Sequence, residues 1–236
     1  MMNWTDTAGL GAIGYAAALG SVAGVLYHNS PVVAPVVSHF GSVDCVALTF
    51  DDGPTPQFTI PILKNLEAVG AKATFFCIGE NISAHRSLVK DMVAAGHCIA
   101  NHTWHHDHAG ILRSRRYWSE ELRRTSEIIA DLSGRSPRLF RAPMGFKIWN
   151  QAVAVRALEM KYVGWRAWAW DTTGTNAANI YRRITKRLAP GDIILLHDGL
   201  EYARRHASQV ETVAALPNIL EYIQRRGWRM VSLANL

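Results

Sequence analysis

The run Val43 to Phe50 carries apolar side chains at Val43, Cys45, Val46, Ala47, Leu48 and Phe50 and ends in Asp51-Asp52-Gly53-Pro54. A short, nearly continuous apolar run closed by a turn reads as a strand buried on both faces, which is the mark of a parallel sheet. The same unit recurs along the chain. A helical stretch from Phe58 to Val69 precedes a strand Ala73 to Ile78, and a helix Ser87 to Ala95 precedes a short strand His97 to Ala100. Trp118 to Leu132 has helical spacing at Leu122, Ile128, Ile129 and Leu132 and leads to a strand near Leu139. A helix Gln151 to Glu159, a strand Tyr162 to Trp165, a helix Asn179 to Leu188, a strand Ile193 to Leu196 and a helix Val210 to Arg225 follow, with Trp228 to Val231 closing the series.

About seven strand–helix repeats predict an α/β fold in one domain. Chemically competent residues stand just after many of the strands: Asp51, His102, Arg141, Asp171 and His197. In an open doubly wound sheet, ligands gather mainly at one switch point. In a barrel, all strand ends converge on one mouth, so an incomplete or distorted (β/α) barrel fits better.

Three segments carry the chemistry. In Thr49-Phe50-Asp51-Asp52-Gly53-Pro54, adjacent carboxylates at a strand end can divide labour. One holds a cation while its neighbour takes a proton from the cation's water. In Asn101-His102-Thr103-Trp104-His105-His106-Asp107-His108, two imidazoles can meet one metal, and spacing alone allows His102 with His105 or His102 with His106. Two histidines and one carboxylate leave coordination positions open, as a catalytic site requires. Finally, Ile193-Ile194-Leu195-Leu196-His197-Asp198 is a buried strand ending in a histidine that can protonate a leaving amine.

Together these segments resemble the motifs of the polysaccharide deacetylases of carbohydrate esterase family 4, in order, over about Val43 to Leu233. The resemblance implies a distorted (β/α) barrel acting on chitin, chito-oligosaccharides, peptidoglycan or acetylxylan. It implies Asp51 as general base, and Asp52, His102 and His106 as metal ligands, leaving His105 and His108 without a role. Arg141-Ala142-Pro143-Met144-Gly145 is similar to the third motif, whose arginine orients the base; the Met144 N–H would then donate to the oxyanion. Asp171 falls where the family has an aspartate that tunes the histidine acid, His197, and Leu195 would line the acyl pocket. The family's usual tryptophan after that aspartate is Thr172 here, with Trp168 and Trp170 just upstream.

The expected function is removal of an N-acetyl group from an amino sugar in a polysaccharide, oligosaccharide or glycolipid, using a divalent metal, zinc before cobalt. Two alternatives stand beside it. One is a deformylase or O-acetyl esterase acting on a lipid-linked or cell-wall sugar. The other is a catalytically silent carbohydrate-binding barrel. A zinc protease is disfavoured by the absence of His-Glu-x-x-His.

The net charge of +6 comes mainly from arginines, including Arg113, Arg115, Arg116, Arg123 and Arg124. Glu120, Glu121 and Glu127 lie among them at helical spacing, so this stretch reads as a solvated helix face and nucleic acid is not an expected partner. Three cysteines without close spacing, Cys45, Cys77 and Cys98, read as buried hydrophobes rather than a disulfide framework. Residues 1–42 are set apart from a catalytic domain 43–236. Within them, residues 7–27 carry no charge and are long enough to span a bilayer, yet are rich in Gly and Ala. They read as a membrane anchor or as a helix packed on the domain, with Ser30 to Pro35 as linker. A cell-envelope or membrane-associated location is expected, with the cytoplasm as alternative.

Overall fold

A computed structural model describes residues 27–199 and 208–236. Its strands form one sheet in which every strand-to-strand pairing is parallel. The order is β1 (Val36–Val37), β6 (Lys161–Val163), β5 (Leu139–Phe140), β4 (Cys98–Asn101), β3 (Thr74–Cys77), β2 (Cys45–Asp51), β8 (Ile193–His197), β7 (Ala167–Trp168), with β9 (Arg229–Val231) beside the start of β2. The strands β6 and β7 stand near opposite ends of this list, yet four Cα steps separate Val163 from Ala167. Four steps reach about 15 Å at most, so the sheet must curl until β6 and β7 approach one another. Polypeptide running in one direction pairs first with β5 and then, past Gly164, with β8. The result is a distorted (β/α) barrel, as expected.

Every residue of β2 is buried, because helices cover the outer face and side chains fill the inner one. Val46, Leu48 and Phe50 pack outward with α1 (Pro56–Ala68) and α7 (Val210–Arg225), while Ala47 joins the inner cluster of Phe76, Ala100, Trp165, Ile193 and Leu195. The period of two then dictates the mouth. Asp51 lies on the inner parity of β2, His197 on the inner parity of β8, and the two are direct register partners.

The remaining helices are α2 (Gly79–Ala84), α3 (Arg86–Ala94), α4 (Arg115–Ser133), α5 (Trp149–Ala157) and α6 (Ala177–Thr185). The longest, α4, starts where the Ser114 hydroxyl accepts the Tyr117 N–H and stops at Gly134 in the left-handed conformation. Trp118, Leu122, Thr125, Ile129 and Leu132 form its buried stripe. On its outer side Arg123 pairs with Glu120 at 2.8 Å and Glu127 at 2.5 Å.

Several boundaries differ from the sequence reading. The strand expected at Tyr162–Trp165 stops at Val163 as β6, and an unexpected separate strand, β7, follows at Ala167–Trp168, because the chain changes partners at Gly164. An additional short helix, α2, precedes the helix expected at Ser87–Ala95. The stretch read as a linker is packed on the barrel instead: Ser30 and Val33 are buried, and Val36 and Val37 pair with Tyr162 and Val163. Van der Waals contact and backbone pairing hold it where a Pro-rich composition gave only flexibility. The expected anchor at residues 7–27 lies, but for Tyr27, outside the described residues, and no helix among the described residues is long and apolar enough to cross a membrane. The three cysteines are buried and free.

The strand switch makes a stability prediction. A Cβ at Gly164 would lie 2.1 Å from Asn29 Oδ1 and 2.9 Å from Val36 Cγ1, whereas one at Gly41 would meet nothing within 4 Å. Gly164→Ala should cost about 1–3 kcal/mol in urea unfolding, as overpacking does. Gly41→Ala should change stability by less than about 0.5 kcal/mol.

Candidate active site

At the end of β2 the chain leaves the strand through Asp52, whose φ of 72° turns its carboxylate toward the loop after β4. That loop is held by three polar side chains. The Asn101 amide oxygen accepts the Thr103 N–H at 2.9 Å, and the Thr103 hydroxyl accepts the His106 N–H at 3.0 Å. Glu121 of α4 accepts the N–H groups of Trp104 at 3.0 Å and His105 at 2.9 Å, and sits 2.6 Å from the His105 ring. The last contact decides between the two histidine pairings in space. His105 is drawn outward to Glu121 and is half-exposed, while His106 turns inward and is buried.

His102 Nε2 and His106 Nε2 lie 3.3 and 3.4 Å from the same oxygen, Asp52 Oδ1. Bonds of about 2.0–2.1 Å at tetrahedral angles place ligand atoms about 3.3 Å apart, so these distances fit a shared cation. His102 Nδ1 is 2.8 Å from the Arg141 carbonyl, which accepts its proton and leaves Nε2 as the free donor pair. Asp52, His102 and His106 are the one such ligand group among the described residues, and all three are buried. Burial opposes a charge on Asp52, but His106, His102 and His197 together hold its carboxyl well below the usual carboxylate range.

Asp51 stands beside this group, with Oδ2 3.8 Å from His102 Nε2 and Oδ1 accepting from Arg141 Nη1 at 2.7 Å. Arg141 is fully buried and also donates to Thr49 Oγ1, the Val163 carbonyl and the Gly164 carbonyl. Across the mouth, Asp171 Oδ1 lies 2.9 Å from His197 Nδ1, and Asp171 Oδ2 accepts from the His197 N–H and the Thr212 hydroxyl. Burial works against the imidazolium, yet Asp171, then Asp52 and Asp51, raise the His197 pKa to about 10.

These groups open into a cleft of about 350 Å³ lined by His28, Met144, Phe146, Trp165, Trp168, Trp170, Thr172 and Leu195. Met144 and Trp170 have φ of 56° and 57°, and both side chains are about half exposed. Leu195 is buried at the cleft floor, and Thr172 is half-buried beside Asp171. Thus all ten residues singled out from the sequence gather at one mouth. Larger cavities lie elsewhere, one at the opposite strand ends around His97 and Leu139, one against α5, without this convergence of titratable groups.

Three supporting residues escaped the sequence reading. Glu121 was taken for a solvated residue, although its position three after Trp118 and one before Leu122 puts it on the buried face of α4. Thr212 gave no local signal. Asp198 is fully buried, accepts from Thr59 Oγ1 at 2.6 Å, and burial first, then its carboxylate neighbours, push its pKa up to about 7.

The sequence pattern of the polysaccharide deacetylase domain matches residues 41–164. The chain belongs to the polysaccharide deacetylase family. It is 32% identical over 191 residues to a peptidoglycan-N-acetylglucosamine deacetylase of Bacillus cereus, covering 81% of this chain and 67% of that protein. It is 35% identical over 194 residues to a chitooligosaccharide deacetylase of Sinorhizobium fredii, covering 80% and 89%. A solved peptidoglycan N-acetylglucosamine deacetylase, in complex with 4-naphthalen-1-yl-N-oxidanyl-benzamide, superposes with a TM-score of 0.76 at 30% identity over 84% of this chain and 89% of that one. A pseudoenzyme of carbohydrate esterase family 4 from Bacillus anthracis shares the fold, with a TM-score of 0.76 at 20% identity over 88% and 70%. As a family member the chain is a metal-dependent hydrolase of non-peptide carbon–nitrogen bonds.

The His197–Asp171 pair predicts a titration. A pKa raised from 6.5 to about 10 contributes stability fully present below pH about 6.5 and lost as pH rises through about 10. In the metal-free protein, the His197 ring signals in NMR should stay those of imidazolium well above neutrality. Asp171→Asn should move the transition downward; an unmoved transition would separate the two residues electrostatically.

Proposed function

We propose that this chain removes the N-acetyl group from an amino sugar of a cell-envelope polysaccharide, oligosaccharide or glycolipid. The observation that carries the reading is the placement of a paired carboxylate, a three-atom ligand group and a carboxylate-bound histidine around one cleft. The named activities of the relatives support the acetyl group and the envelope substrate. The packing of residues 28–37 on the barrel supports counting them with the catalytic domain rather than with a separate segment that ends at residue 42.

Asp52, His102 and His106 would hold the cation, zinc by its preference for mixed nitrogen and oxygen donors in tetrahedral array, with cobalt as substitute. When bound, such a cation supplies Lewis acidity toward the acyl oxygen and lowers the pKa of water. Asp51 accepts the proton from the attacking water; the bond from Arg141 fixes the carboxylate plane and leaves Oδ2 facing the ligand group. The Met144 N–H, at the cleft rim, donates to the developing oxyanion. His197 carries a proton at neutral pH and delivers it to the sugar amine, which is a very poor leaving group as an anion. Leu195 and the tryptophans exclude water around the acyl methyl, with Thr172 at the edge where a larger side chain would close the wall.

Acetate release from N-acetylated chito-oligosaccharides and peptidoglycan is the direct test, with formate release and O-acetyl esters as controls for the alternative acyl reading. The silent-barrel reading has a specific motive, since a pseudoenzyme shares this fold. Absence of any acyl release from the metal-loaded protein would favour it.

Two variant sets test the roles. Chelation should abolish turnover and zinc or cobalt should restore it. His106→Ala should lose metal stoichiometry, and His105→Ala, whose ring lies on Glu121, should keep it. Asp51→Asn should retain metal and lose about 100- to 10,000-fold in rate. His197→Ala should impair amides far more than activated esters, and equal losses on both would remove it as the acid.

A further inference from the structure

The segment Tyr27–Asn29 enters the active-site cleft through space left by two glycines. A Cβ at Gly145 would lie 2.6 Å from His28 Cβ, and one at Gly164 would lie 2.1 Å from Asn29 Oδ1. Each absence of a side chain admits one residue of the segment. Lys147, fully buried, then donates from Nζ to the Tyr27 carbonyl at 3.2 Å and the His28 carbonyl at 2.6 Å. The Asn29 amide bridges the backbone of Trp165, donating to its carbonyl at 2.7 Å and accepting its N–H at 3.3 Å. With backbone and neighbour fixed, the His28 ring stacks on Trp165, with centroids 4.2 Å apart and planes 4° from parallel, and meets the edge of Trp168 at 5.3 Å.

Packing accounts for the ring but not for its nitrogen. His28 Nε2 is buried, has no hydrogen-bond partner among the described residues, and belongs to a side chain lining the cleft beside Met144, Trp168 and Leu195. An unsatisfied buried polar atom is destabilising, and phenylalanine would stack on Trp165 without that cost. Burial, opposed by the Trp165 backbone, lowers the imidazole pKa to about 4, so at neutral pH the ring is uncharged. A saccharide presents hydroxyl and amide groups that suit Nε2, and its apolar ring faces suit the neighbouring tryptophans.

We propose that His28 is a substrate-contacting, specificity-determining residue, whose Nε2 hydrogen-bonds a hydroxyl or amide of the bound N-acylated sugar. The segment preceding β1 is on this view a wall of the site. The inference rests on the saccharide reading above, not on the acyl group released.

The test compares wild type, His28→Phe and His28→Gln, all metal-loaded, by calorimetric binding of chitotetraose and by kcat/KM on that saccharide and on 4-nitrophenyl acetate. His28→Phe should weaken saccharide binding and kcat/KM about tenfold while changing the small ester less than about twofold, with Tm unchanged or raised. His28→Gln, which keeps a polar atom, should recover part of the loss. Equal losses on both substrates, or no loss on the saccharide, would overturn the proposal. Wild type that binds chitotetraose without hydrolysing it would overturn the activity reading and leave the binding comparison to judge His28. Wild type that does not bind it would overturn the saccharide contact.

Discussion

A guanidinium at the centre of a barrel has to be matched on nearly every donor, and Arg141 meets that constraint in a way that fixes the rest of the site. Its four hydrogen bonds reach Thr49 and Asp51 on β2, Val163 at the end of β6, and Gly164 where the chain crosses toward β7. The cation also lies over the Phe76 ring at 4.1 Å. Removing one partner from a buried pair costs about 3–5 kcal/mol, because the other charge is stranded. Barrel closure and the orientation of Asp51 are therefore one interaction. The same residue's carbonyl sets the ring of His102, so the ligand group is tied to the base through a single peptide unit.

Order at the mouth comes at a conformational cost concentrated there. Six non-glycine residues among those described have positive φ, and five belong to the mouth loops: Asp52, Thr103, His106, Met144 and Trp170. Each such backbone costs of order 1–3 kcal/mol and persists only where surroundings determine it. Here the surroundings are visible. Asn101 and Thr103 hold the loop of the two histidines from within, and Glu121 holds it from α4. The buried aromatic and aliphatic outer layer then supplies the stability that these loops draw on.

Much of this was legible in the chain. Asp51 and His197 each close an apolar run, so both could be assigned to strand ends at one mouth before any coordinates, while their direct register is a finding of the structure. Parity fails where strands shrink to two or three residues: β6 and β7 carry no period, and only Gly164 marks the change of partner. The packing of residues 28–37 was hidden for another reason. Its partners, Lys147, Gly145 and Gly164, lie more than a hundred residues away, and nothing in Ser30 to Pro35 announces them. Glu121 was readable in principle from its helix face, but the abundance of nearby charge favoured a solvated reading.

The charge balance of the mouth follows from the proposed roles. Asp51, Asp52 and Asp171 contribute three negative charges, and Arg141 and His197 contribute two positive ones. Asp198, whose pKa burial and its neighbours raise to about 7, is drawn toward its neutral form by the same crowding. By formal charge, these five side chains leave one negative charge uncompensated among the described residues of the cleft. Such a deficit is costly in low dielectric unless a cation joins it. A divalent ion held by Asp52, His102 and His106 would turn that balance positive, the sign that stabilises an oxyanion. The carboxylates that raise the His197 pKa, Asp171 first and then Asp52 and Asp51, thus belong to the same cluster whose charge a cation would balance.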